Sequence, residues 1–391
     1  MKKAILTLVF SAVFAVFGFS QSHQNDNDCP DGDCETIDQR DGVCSPYIGP
    51  IYPSCPGSMR TALQHGASYS DVMQEGLRND ANVSQEDRNI AFVRQYGDDG
   101  SAIIAQKDGG DIPNLAIIRQ LWGKGNSATV TQTGEGQRAD VTQTGFYNSA
   151  RVLQAEYMNT ADVDQRGRHN DADVDQEGCH NEARTSQRGL CNISQQNQTN
   201  ILNDECIKQV GEYNDAIQTQ LGGKLNQASI RQGSLAYWSY GGVARQFQDG
   251  NRNKAFIDQE EYFNTAKQSQ VGNRNYAEAR QNLLSFGGGN VIEQTQTGNR
   301  NEALATQEGA FFILGIDNTI YQTQTGRRNM TIAHQNGAAN LADISQDGVR
   351  NYSLSEQLGL FNELTVQQIG NFEASYLSQA GVGNTAFVSQ K

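Results

Sequence analysis

The sequence predicts an all-β protein, a β-solenoid of stacked strand-turn-strand coils with 22 residues per coil and amyloid-like stacking of side-chain amides. Three observations predict it. Glutamine recurs every eleven residues along most of the chain, and the other recurring positions of each unit lie two residues apart. The composition is rich in amides and poor in oil, with 42 Gln, 34 Asn and 40 Gly in 391 residues and 37% hydrophobic residues, for a mean hydropathy of -0.62. Such a composition means either disorder or amide-stacked β-structure, and fixed spacing decides for the second.

Residues 1-20 read as a secretory signal peptide: Lys2 and Lys3 precede an apolar run from Ala4 to Phe19 that ends in Ser20 before polar Gln21 to Asp28. The run is short for a bilayer span of about 20 residues, and no later segment is apolar enough for one, so the mature chain is expected to lack a membrane span. Residues 21-57 form a Cys/Pro-rich leader. Five prolines (Pro30, Pro46, Pro50, Pro53, Pro56) and four cysteines (Cys29, Cys34, Cys44, Cys55) lie in it. Proline removes ladder donors, so the leader is expected to be irregular and to stay out of a sheet centre. Its four thiols allow two disulfides in any of three pairings, or none if the segment is only a leader.

Residues 58-391 carry the repeat. From Gln85 to Gln390 there are 27 anchor glutamines, and 19 of the 26 intervals between them are eleven residues. Asn stands six positions before the anchor in 23 units and Ala four before it in 19. Weaker units at Gln64 and Gln74 extend the array upstream. In a strand, positions two apart share a face. Asn126, Ala128, Val130 and Gln132 therefore face one way, and the variable polar residues between them face the other. An eleven-residue period also fits a right-handed helical supercoil, but a Gly in nearly every unit would cost about 1 kcal/mol each inside a helix. Gly134 to Gln137 and Gly167 to Asn170 read instead as tight turns. A lone hairpin of this kind is marginally stable, so the units must stack, each strand about 4.8 Å from the one 22 residues later.

Stacking is also what makes inward amides tolerable. A buried amide without partners costs about 1-3 kcal/mol, whereas amides in register bond to one another along the axis. The candidate ladder and polymerisation residues are Asn159, Gln165, Asn170, Gln176, Asn181, Gln187, Asn362, Gln368, Asn384 and Gln390. Outer-face charge, as at Asp162, Asp164 and Arg166, reads as protection against lateral sticking, with Arg151 expected beside Asp173 and Asp162 beside Arg184. The last unit, Asn384 to Gln390, is in register and no capping element follows it in the sequence. An open end rung is expected to let another molecule continue the ladder.

The repeats Asn148 to Gln154 and Asn384 to Gln390, with closings such as Gln165 to Gly167, resemble the curlin repeat of curli fibre subunits. The resemblance covers about residues 58 to 391 and makes each coil two eleven-residue curlin-type repeats. It implies a secreted structural subunit of an extracellular amyloid fibre for cell adhesion and biofilm matrix, a homopolymer exported through the periplasm and outer membrane. It further implies a curli-type secretion channel, a periplasmic inhibitor chaperone and a nucleator subunit as partners. The leader departs from the resemblance, being rich in Cys and Pro where the familiar curlins have mainly Gly and Asn.

Other chemistry is not expected. With 30 basic and 44 acidic residues the net charge is -14, which repels phosphate and disfavours nucleic acid and anionic membranes. His169, His180 and Cys179 suggest a metal site, but successive turns fall on opposite edges of the coil. Cys179, Cys191 and Cys206 are not 22 apart, which argues against rung-to-rung disulfides. The Asp-rich unit Ala172 to Gln176 lacks the Gly pattern of calcium β-rolls. The Thr129 to Thr133 array is interrupted by Leu153, 22 residues beyond Thr131. No catalytic grouping recurs at a spacing that would form one cleft, so neither enzyme activity nor a cofactor is expected. Three longer intervals insert Tyr237, Trp238 and Tyr240, then Phe286, then Phe311 to Leu314. Such loops motivate the alternative of a monomeric β-solenoid adhesin that binds a ligand through its faces or loops.

Overall fold

The computed structural model describes residues 34-40, 59-65, 68-234, 239-281, 288-308 and 317-391, the first two stretches by backbone alone. The signal segment, Cys29, Cys44, Cys55 and the insert residues Tyr237, Trp238, Phe286 and Phe311 to Leu314 lie outside the described residues.

The chain is an all-β parallel β-solenoid of about 14 turns with about 22 residues per coil. Consecutive strands alternate between two sheets, and within each sheet every neighbour is parallel. Thus Ser149–Tyr157 lies in the first sheet, Thr160–Arg168 in the second and Asp171–Cys179 in the first again. Register is kept anchor over anchor: Gln154 pairs with Gln176 and Gln165 with Gln187. Longer intervals do not shift it, since Gln220 still pairs with Gln248, and Gln296 with Gln324. The three longest intervals all fall between a second-sheet strand and the next first-sheet strand, while a shorter insert between Lys107 and Leu115 follows a first-sheet strand; the ladder continues past each of them.

The weak units are strands too, Met59–His65 and Tyr69–Glu75. Cys34–Arg40, inside the leader expected to be irregular, pairs with Met59–His65 and adds one more strand to the end of the first sheet. No proline falls within those seven residues, so nothing prevents them from entering the ladder.

The turns alternate between two edges. Edge 1 carries the turns that leave the first sheet, such as the one at Met158, and edge 2 those that leave the second, such as the one at His169. Most turns take two residues at positive φ, as with Gly167 at 127° and His169 at 54°. A Cβ on Gly167 would sit 2.0 Å from the Gly189 carbonyl oxygen of the next coil, so the close approach of stacked turns requires glycine there. The left-handed residue is held by the stack, because the His169 N–H donates to Phe146 O at 3.0 Å and the Cys191 N–H to Arg168 O at 2.9 Å. Side chains alternate in and out along most of each strand. Ala161, Val163 and Gln165 are all buried between the sheets, and interior Ala386, Val388 and Gln390 of the last strand are half-buried.

Candidate functional site

The anchor glutamines form two axial ladders, one per sheet. Gln154 Nε2 donates to Gln176 Oε1 and Gln176 Nε2 to Gln198 Oε1, at 2.8 and 2.7 Å. In the other sheet Gln143 donates to Gln165, and Gln165 to Gln187, each at 2.8 Å. Near the far end Gln346 donates to Gln368 and Gln368 to Gln390, each at 2.7 Å. The second N–H of each amide crosses the interior to a strand start: Gln165 to Ser149 O, Gln176 to Thr160 O. Both donors and the carbonyl of a wholly buried amide are thereby used, which is the condition for burying it without penalty. The ladders are directional, with each anchor glutamine donating one N–H along the axis toward higher residue numbers.

The asparagines act differently, stapling turn to turn. Asn159 Oδ1 accepts the backbone N–H of Asn181 at 2.9 Å, and Asn159 Nδ2 donates to Gly178 O at 2.7 Å and to Ala155 O. Amide-on-amide bonds occur among the edge-2 asparagines: Asn170 Nδ2 donates to Asn148 Oδ1 at 3.1 Å, and Asn384 Nδ2 to Asn362 Oδ1 at 2.9 Å. For Asn159 and Asn181 the stacking expected from sequence is replaced by a side chain to backbone staple, since the short side chain meets the neighbouring turn first.

A third ladder escaped the single-consensus reading. Two positions before the first-sheet anchors, Gln196, Gln218, Gln246, Gln268, Gln294 and Gln322 replace Val and donate in sequence at 2.7 to 3.1 Å. Gln196 follows Val174 in the column, and its open carbonyl is filled across the interior by Thr185 Oγ1 at 2.8 Å. The pairs Gln196 and Gln198, Gln218 and Gln220, Gln246 and Gln248 were the available signal, visible only when alternate units are compared.

One interior residue breaks the pattern. Glu205 occupies an Ala position between Ala183 and Ala228. It is fully buried, and neither carboxyl oxygen has a hydrogen-bond partner. Burial, reinforced by the adjacent Asp204, pushes its carboxyl well above the usual carboxylate range.

On the outer faces Arg151 Nε meets Asp173 at 2.9 Å. Asp162 is in register with Arg184, but the Arg184 guanidinium pairs instead with Glu182 of its own strand, which the shorter reach favours. Leu153 is in register with Thr131. His169 stacks on Tyr147 at 5.2 Å on edge 2, while His180 meets Tyr157 edge-on on edge 1. Cys179, Cys191 and Cys206 are free thiols.

The edges differ in kind. Edge 2 is aromatic, with Tyr213 against Tyr240 at 5.3 Å and Tyr240 against Phe263 at 5.4 Å. Edge 1 carries arginine at the left-handed position of five successive turns, Arg252, Arg274, Arg300, Arg328 and Arg350. Beside the first three, Asn251, Asn273 and Asn299 form an exposed amide ladder at 2.8 and 3.0 Å that floors a groove of about 520 Å³.

A parallel two-sheet solenoid held by axial amide ladders is the architecture of a structural repeat protein. The family model described as the curlin associated repeat matches residues 159–189 and 337–370, each spanning rungs of the anchor ladders, and these two matches support a curlin-family repeat protein. No curated protein sequence matches it.

Proposed function

We propose that the chain is the secreted structural subunit of a curli-like extracellular amyloid fibre that serves cell adhesion and the biofilm matrix. The observation that carries this reading is the ladder itself. Neighbouring rungs meet through an interface that is self-complementary and directional, each anchor glutamine donating on one side and accepting on the other, so the rungs of one copy continue those of another with no new kind of contact. The curlin repeat supports the same reading. Gln368 and Gln390, with Asn362 and Asn384, extend the ladder at the high-numbered end of the stack. The apolar run after Lys2 and Lys3 supports export, and a curli-type channel and a nucleator subunit are the partners the resemblance supplies.

The test is electron microscopy and fibre diffraction of the mature chain. Unbranched fibres with a repeat of about 4.8 Å along the fibre axis are expected. A chain that remains a single rod after days at high concentration would sink the reading, and one that does so while still attaching to surfaces would establish the adhesin instead.

A further inference from the structure

Edge 1 is divided by charge. In its first five described turns the ionisable groups are mainly acidic: Glu86 and Asp87, then Asp108 and Asp111, then Glu135, Glu156 and Glu177. A neutral turn at Leu202 follows. The next six carry Lys224, Arg252, Arg274, Arg300, the pair Arg327 and Arg328, and Arg350. The acidic half includes two cations, Arg88 and Lys107, the latter 4.0 Å from Glu86. Asp249 and Asp347 border the basic half.

None of the seven basic-half cations is in an ion pair among the described residues, although fourteen other Arg and Lys to carboxylate contacts are formed. All seven are exposed. Arg327 and Arg350, with Arg300 beyond, hold the Arg328 guanidinium below its usual value by repulsion. A row of like charges repeated every rung, about 4.8 Å apart, is held together by the stack and neutralised by nothing in it.

We propose that two copies of this chain pair side by side and antiparallel through edge 1, related by a two-fold axis at the Leu202 and Leu225 turns. Both charge rows belong to one repeat, so they have the same pitch and every rung finds a partner rung. Turning one rod end for end about that axis sets Glu177 against Arg252, Glu156 against Arg274 and Glu135 against Arg300. The next rung sets the doubly acidic turn, Asp108 and Asp111, against the doubly basic one, Arg327 and Arg328. Glu86 and Asp87 then meet Arg350. At the axis Leu202 and Leu225, both exposed at 47% and 40%, cover each other. An isologous contact repeats each pairing twice. The three longest inserts all fall at edge 2, and the longest that edge 1 carries is the shorter one between Lys107 and Leu115. The pairing goes beyond the fibre reading and does not depend on it, because edge 1 runs along the side of the rod and end-to-end growth uses its ends.

The full mature chain, dispersed at low ionic strength, is imaged by electron microscopy and scored for rods or fibres in lateral pairs. Arg252→Glu with Arg300→Glu, and separately Glu135→Arg with Glu177→Arg, should each abolish pairing, a loss of more than about 100-fold in association, since like charges then meet at four points. The quadruple variant restores every sign and should pair again. Wild-type pairs should come apart as salt is raised above about 0.1 M, where surface charges are screened within about 10 Å. Pairing that survives Arg252→Glu with Arg300→Glu at low salt, or a quadruple variant that stays single, overturns the proposal. So does a wild-type chain that stays single yet retains heparin or single-stranded DNA through these arginines, which would make the edge a polyanion site.

Discussion

The rungs from Ala81 to Val174 and those from Gln196 to Gln322 share one backbone and one register but fill the space between the sheets differently. In the first region both sheets place Val or Ile two residues before the anchor, as at Val130, Val152 and Val174 facing Val141 and Val163, and these join the alanines in a continuous apolar cluster. In the second, glutamine takes that position in one sheet, and the apolar cluster retreats to the other row, where Ile207, Ile230 and Ile257 pack with Ala216, Ala244 and Ala266. Size is compensated along that row, since Ile292 and Ile320 appear where the facing positions shrink to Ala279 and Ala305. What the stack requires is uniformity along the axis, Val over Val or Gln over Gln. Oil at the position is optional.

The strongest way to break that uniformity is Val152→Gln. The neighbours in its column are Val130 and Val174, so the new amide finds no axial partner, and it is larger than the residue it replaces. A loss of about 3 kcal/mol is expected from the unpaired amide and the overpacking together, read as a lower urea midpoint of the unassembled chain. The converse, Gln246→Val, should cost about 2 kcal/mol, because it orphans the Gln218 donor and the Gln268 acceptor. Replacing all six glutamines of that ladder by Val should recover most of this loss, since removing donor and acceptor together is nearly neutral. A sixfold variant less stable than Gln246→Val would show that the amides contribute more than mutual satisfaction.

The anchor ladders, the coil length and the two-sheet stack were legible because the eleven-residue period survives every substitution around it. The third ladder was hidden by reading each unit against one consensus. Its glutamines occur in alternate units, at a period of 22, and averaging over both sheets turns Gln196 and Gln218 into deviations from Val. The arginine row of edge 1 was hidden in the same way, although Gly250 to Asn253, Gly272 to Asn275 and Gly298 to Asn301 spell the same four residues. How Asn159 bonds was not legible at all, since it depends on where a short side chain meets the next turn.

Glu205 sharpens the comparison, since it stands where the apolar region gives way to the amide region and belongs to neither. Glu205→Ala restores the residue of its column neighbours Ala183 and Ala228 and should stabilise the chain by about 1-3 kcal/mol at neutral pH. The gain depends on pH with a definite sign. Burial raises the folded-state value of the carboxyl above its unfolded value of about 4.3. Below that unfolded value both states are protonated and the part of the penalty that comes from ionisation is absent; that part grows as pH rises, because the unfolded chain releases the proton more readily. Urea midpoints of wild type and variant should therefore converge near pH 4 and separate toward pH 7. A difference constant over that range would mean that Glu205 is harmful through its size and not its charge.

The smallest effect is expected on the outer face, where the two regions do not differ. Arg151 and Asp173 form an ion pair at 2.9 Å, with side chains 47% and 39% exposed. Even so, the Asp173 carboxyl lies above its usual value, because partial burial and the neighbouring Asp175 and Asp171 outweigh the arginine. Geometry suggests a stabilising bridge, but the balance of charges does not, and at this exposure solvent screening leaves the pair worth well under about 1 kcal/mol. Arg151→Ala should thus change stability by less than about 0.5 kcal/mol. Asp173→Asn should be neutral at pH 3, where both states are protonated, and neutral to slightly stabilising at pH 7, where the variant no longer carries a charge that the fold disfavours. A loss above about 1 kcal/mol for Asp173→Asn at pH 7 would show the bridge to be stronger than exposed pairs usually are, and would give the outer face a share in holding the rungs together that the interior ladders otherwise carry alone.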